Sequence, residues 1–232
     1  MPAYLLPPPS AVALAAAGQI GDLTLAAVVT GRTAVLGFLL SAAFGTLAAV
    51  VLSSSRLLER AVYPYTVFLQ TVPIVAIAPL LVLWFGAGTR AVTISAFIVS
   101  VFPVIANALA GIREVEPALR DLFRLYGATR LATLTKLELP AALPNVVTGL
   151  RVAAGLAVIG AIVGEFVAGF SDSGAGLGIL ILASYRQLRT DLLFAAVLFA
   201  SMLGLVLFGA VNLTGYLLLR RWHPSVRESG PA

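Results

Sequence analysis

Glu165 is the one acid set well inside an apolar run, in the stretch GEFVAGFSDSGAGLG (164–178). A carboxylate at such a place is costly to bury and is often functional. Two readings of it stand on sequence alone. It is an element of a pathway or gate, or it is a carboxylate bonded to neighbours or reaching water near an interface. Gly176 and Gly178 follow it and allow close backbone contact. They fit a tight turn or partial re-entry against apolar spans. A phosphate cradle fits poorly, because no strand precedes the glycines and no lysine follows them.

Most other chemistry is excluded by residue type. The only lysine, Lys136, has no glycines placed before it, so the chain lacks the G-x-x-x-x-G-K-[ST] loop of a nucleotide hydrolase. The only histidine, His223, sits in the C-terminal tail, and cysteine is absent. A serine nucleophile would have no base beside it, and no cluster of metal ligands is available. We therefore assign no catalytic residue, no metal site and no cofactor to this chain.

The elements that hold Glu165 are set by composition. Of 232 residues, 60% are hydrophobic and 11% charged, against about 25% charged in an ordinary soluble domain. A core of this size cannot hide that excess, so lipid is the solvent. The basic residues are scattered between apolar runs, which points to membrane topology and away from nucleic acid. A spanning helix needs about 20 apolar residues. Charge-poor windows predict five, at about 33–53, 62–84, 91–111, 146–169 and 192–219. The expected class is an all-α transmembrane bundle in a single domain.

Placing the 113–145 loop in the cytoplasm puts eleven Lys and Arg inside and four (Arg32, Arg90, Arg186, Arg189) outside. The N-terminus is then outside and the C-terminus inside. Residues 1–31 are expected to be extracytoplasmic or interfacial; within 10–31 the apolar run is broken by Gly18, Gln19, Gly21 and Asp22, and a sixth span there is left open. Pro73 and Pro79 fall inside the second span. Proline kinks a helix and frees carbonyls, which fits a helix lining a translocation path or a static packing kink. Small residues in the first and fourth spans, such as Gly37, Gly45, Gly149, Gly160 and Gly164, predict close helix packing.

The 113–145 loop is charged, with eight of the chain's fifteen basic and ten acidic residues between Glu114 and Pro144. Leu119, Leu122, Phe123 and Tyr126 fall at i, i+3, i+4 and i+7, one face of a helix. Arg120, Asp121 and Arg124 take the other, solvated side, and Gly127 ends the helix. Such a helix lies on lipid or in a partner's groove.

The segment LRDLFRLYGATRLATLTKLELPAALPNVVTGLR resembles the cytoplasmic loop of inner-membrane permeases of binding-protein-dependent ABC importers. That loop has the form E-A-A, three residues, Gly, about nine residues, then an apolar residue, x, Leu, Pro. Gly127 matches the glycine and Leu137-Glu138-Leu139-Pro140 the ending. The E-A-A has become Asp121-Leu122-Phe123, which keeps the acid and replaces the small alanines. TVPIVAIAPLLVLWFGAG (71–88), VFPVIANALAGI (101–112) and the Glu165 to Gly178 segment resemble the family too.

The resemblance implies a type I permease. Leu119, Asp121, Leu122, Phe123, Tyr126 and Gly127 would couple it to a separate ATPase subunit that holds ATP and Mg. Pro73, Pro79, Glu165, Gly176 and Gly178 would belong to the path or gate. It also implies an extracytoplasmic substrate-binding protein, a second permease copy and the inner membrane. The overall resemblance is to the nitrate, sulfonate and taurine group, with WFGAG (84–88) and AVIGAIVGEFVAG (157–169) leaning to importers of thiamine-pyrimidine precursors or riboflavin. The competing class is an ion-gradient-driven secondary transporter, with Glu165 as its coupling acid.

Overall fold

The computed structural model describes residues 6–168 and 174–220. The described residues form helices and turns. Helix α1 (Pro9–Gly18) leads through Gln19 into α2 (Ile20–Ser53). Next come α3 (Arg56–Thr71) and α4 (Ile74–Phe85), bent by 99° where they meet. Then follow α5 (Thr89–Arg113), α6 (Pro117–Leu125) and α7 (Arg130–Thr133). A π-helical turn over Leu134–Glu138 joins α7 to α8 (Leu139–Ala168). The chain closes with α9 (Leu177–Arg186) and α10 (Thr190–Leu219). Among the described residues, four helices are long and apolar enough to cross a membrane, and the bent pair makes up to five.

α5 is the centre. α2 lies on one side of it and α8 on the other, and glycines set the spacing. A β carbon at Gly37 would meet Ala96 Cβ at 2.5 Å and Thr93 O at 2.9 Å. One at Gly160 would meet Ala96 Cα at 2.8 Å. Lipid gives no hydrophobic drive between helices, so such close approach and interhelical hydrogen bonds hold them. Ser41 and Ser100 lie 2.6 Å apart, and Ser95 donates to the Gly160 carbonyl at 2.7 Å. The expected glycine seams are present at Gly37, Gly45, Gly149, Gly160 and Gly164. Gly45 faces Val104 and Gly149 faces Pro103, so α2 runs parallel to α5 and α8 antiparallel. The α2–α3 turn and α6 therefore share one end of the bundle.

Three expectations need correction. The helix that holds the first span, 33–53, begins earlier, at Ile20. Asp22 and Gly21 fall in its first turn, where an acid complements the helix dipole, so they do not break it. α2 is about 51 Å long at 1.5 Å per residue, more than the hydrocarbon core of about 30 Å needs. α1, with ten residues, is too short to be a sixth span. The second span is a broken pair, not one kinked helix. The fourth span's helix continues without a break from Arg130. Part of the Gly-rich stretch, Ser171 to Ser173, lies outside the described residues, as do Arg221, His223 and Arg227.

Candidate functional site

Three places gather the residues singled out by sequence. The first is α6. Pro117 opens it, and its fixed φ suits a first helical turn. Gly127 closes it with φ +67°, a conformation that costs glycine nothing and other residues strain. The Ala128 N–H donates to the Phe123 carbonyl at 2.9 Å and the Gly127 N–H to the Arg124 carbonyl at 2.9 Å, which satisfies end carbonyls as in a Schellman cap.

No residue of α6 is fully buried. Leu119 and Leu122 are exposed, and Tyr126 is 83% exposed. Phe123 is half-buried, at the inner edge of the same face. Leu125, 85% exposed, adds apolar surface that the i, i+3, i+4 pattern did not mark. Asp121 pairs with Arg124 at 3.0 Å, and both are exposed, so the pair adds little stability.

Arg120 corrects the sequence reading. It does not lie on the solvated side. Its Nε donates to Glu138 at 3.1 Å and its Nη2 to the Ile112 carbonyl at 2.6 Å. Periodicity located the apolar face of α6 but gave no sign that the neighbouring face turns inward on an ion pair.

The second place is the α3–α4 break. Val72 and Pro73 are extended there, and Pro73 stands just before α4. A cavity of about 350 Å³ opens beside it, lined by Leu69 to Ile74 with Ile98, Val99 and Leu156. Non-helical backbone at membrane depth persists only where protein buries it or it lines a wet cavity. Pro73 lines this cavity; Pro79 is exposed within α4 and does not. α3 carries no fully buried residue; Leu58 and Tyr63 pack against the bundle, while Leu57, Tyr65 and Phe68 are exposed.

The third place brings Glu165, Gly176 and Gly178 together. The Glu165 carboxylate is buried. It accepts the Thr30 hydroxyl at 2.8 and 3.1 Å and the Gly178 N–H at 2.7 Å. The Leu177 N–H donates to Thr30 Oγ1 at 2.8 Å. Glu165 and Thr30 thus cap α9 from two other helices, meeting N–H groups that a helix start leaves unpaired. A β carbon at Gly176 would overlap the carboxylate, and one at Gly178 would meet the Ile162 carbonyl at 2.6 Å. Thr30 was missed by sequence reading. A threonine in an apolar run carries no signal of a partner 135 residues away.

Comparison with known proteins agrees with this architecture. Residues 41–227 match the family model described as binding-protein-dependent transport system inner membrane component. A probable ABC transporter permease protein of Haemophilus influenzae is 37% identical over 91% of this chain and 84% of its own length. The riboflavin transport system permease protein RibX of Chloroflexus aurantiacus is 34% identical over 97% of this chain and 82% of its own. The formylaminopyrimidine transport permease protein ThiX of Halalkalibacterium halodurans is 33% identical, over 93% and 85%. An inward-facing structure of the MetNI methionine ABC transporter shares the fold, with TM-score 0.66 and 19% identity over 86% of this chain and 95% of that one. The chain belongs to the binding-protein-dependent inner membrane component family and is a multi-pass permease of an ABC import system.

Proposed function

We propose that two copies of this chain form an ATP-driven import path, each docked through α6 on a separate ATPase subunit that binds ATP and Mg. An extracytoplasmic binding protein delivers the solute. One observation carries this reading: α6 ends at Gly127 and holds its apolar face, Leu119, Leu122 and Tyr126, outside the fold. A face of this kind is built for a partner's groove. The second copy is assigned to the side of α3 that leaves Leu57, Tyr65 and Phe68 without cover within one chain. The solute path runs past the Pro73 break.

The solute is a small heterocycle such as a pyrimidine or vitamin precursor, in line with the names of ThiX and RibX. The cavity at the break supports that choice over a sulfonate, taurine or nitrate, because Gln70 and Thr71 line it and, among the described residues, no charged side chain does. An ion-gradient mechanism is not favoured, since the acid it would use, Glu165, is engaged by Thr30 and Gly178.

Reconstitution tests the reading. Proteoliposomes holding the permease, its ATPase and its binding protein should take up solute only with ATP. Uptake driven by a proton or sodium gradient without ATP would refute it. Orientation is checked separately. A cysteine replacing Leu125 should react with an impermeant thiol reagent only from the cytoplasm, and one replacing Gln187 only from outside. Reaction of both from one side would overturn the assigned topology.

A further inference from the structure

Glu138 is the most deeply buried acid at the α6 end of the bundle, 2% exposed. It sits on the last residue of the π-helical turn that joins α7 to α8. Two arginines meet it. Arg130 Nη1 reaches both carboxylate oxygens at 2.8 Å, and Arg120 Nε reaches one at 3.1 Å. Arg120 also spends its Nη2 on the carbonyl of Ile112, in the last turn of α5. One guanidinium therefore joins three elements: the α6 that carries it, the end of α5, and the π turn that runs into α8.

This clamp is an unusual way to seat a helix. α6 has no fully buried side chain, and its inward apolar packing rests on the half-buried Phe123 ring. A buried ion pair is a poor choice for stability alone, because apolar residues of similar volume do as well. What a planar guanidinium adds is direction, since its donors are fixed in a fork. Wide turns inside helices also recur at functional sites. Here the turn brings Glu138 to face both arginines.

We infer that Arg120 and Glu138 are positioning residues that convert a displacement of α6 into a joint displacement of α5 and α8. The inference rests on α6 being the ATPase-docking helix. It adds that the docked helix grips the two central spans through one charge cluster, while its outer face stays free for the partner. A second pair at the same end, Arg113 with Glu59, ties the foot of α5 to α3, and so to the broken helix beside the cavity.

The test uses the full permease and has two arms. In the first, spin labels at Leu125→Cys and Thr148→Cys report the α6–α8 distance in the permease alone. Arg120→Gln should broaden a distribution that is narrow in the parent. In the second, the permease is reconstituted with its ATPase and binding protein. Arg120→Gln should keep ATPase capture but lower transport per captured complex by about tenfold or more, the scale of an ordinary coupling between sites. Arg120→Lys should recover only part, because one ammonium cannot replace the fork. An unchanged distance distribution would overturn the clamp. A loss of transport no greater than the loss of capture would reduce Arg120 to a scaffold residue and overturn the transmission role. If the parent captures no ATPase, the proposed function fails instead, and the distance arm still decides whether the clamp exists.

Discussion

Alanine at both Leu122 and Tyr126 should strip the ATPase from the permease. Neither side chain is buried in the fold, and alanine is a better helix former than tyrosine, so α6 itself should stay intact. What is removed is surface offered to the partner. Apolar and aromatic anchors at interface centres are typically worth about 2 kcal/mol or more. Each substitution should then weaken capture by about 30-fold. Both together approach a thousandfold, an upper figure because one turn separates them and neighbours couple. Phe123→Ala should act differently, since that ring is half-buried at the inner edge and its loss also loosens the seat of α6. Titrating detergent-solubilised permease against immobilised ATPase measures these effects. Near-parent affinity in the double variant would mean that the helix rests on lipid.

Gly176→Ala should destabilise the permease severely. The new methyl would occupy the space of the Glu165 carboxylate. The carboxylate must swing away, and the Thr30 hydroxyl and Gly178 N–H then lose their acceptor in a buried site. Each buried polar group left without its partner costs about 1–3 kcal/mol. In a chain of this length that lowers a thermal midpoint by about 10 °C. The comparison that isolates the cause is a double-mutant cycle. With Glu165→Ala already in place, Gly176→Ala should cost little more. A single variant that melts with the parent would show that the carboxylate is not lodged against Gly176.

The contrast between these two sites shows what the residue order discloses. The apolar face of α6 was legible, because a 3.6-residue period is a local property and Gly127 marks its end. The spans were legible for the same reason, since charge disappears from Ala61 to Thr89 and from Ala91 to Ile112. The α9 cap was only half legible. Glu165 stood out as an acid in an apolar run, but its partner Thr30 lies on another helix, and pairing across helices leaves no periodic trace.

The break at Val72–Pro73 was read as a kink. Proline announces a lost hydrogen bond and does not say how far the chain turns, which depends on what packs against the freed backbone. Asp22 and Gly21 were read as breakers of a helix that in fact begins beside them. Both residue types are tolerated in a first turn, and only the neighbouring α10 and α9, packed against Leu23 and Ala26, decide that the helix starts so early. Arg120 was placed in water because charge usually faces water, and nothing local reveals a buried acid eighteen residues on.

The wide turn at Leu134–Glu138 also bears on how loops of this kind diverge. A π turn holds about one residue more than the α turn it replaces. Removing one residue there, Thr135 for example, would let the wide turn close to an ordinary α turn, because the turn already holds the residue that an α turn would not. The helices on either side would keep their bearing, with Arg130 before the turn and Glu138 at its end still facing each other. At this place the helix can gain or lose a residue without turning the loop that precedes it, so chain length is free to drift here while the direction of the α6 face is held.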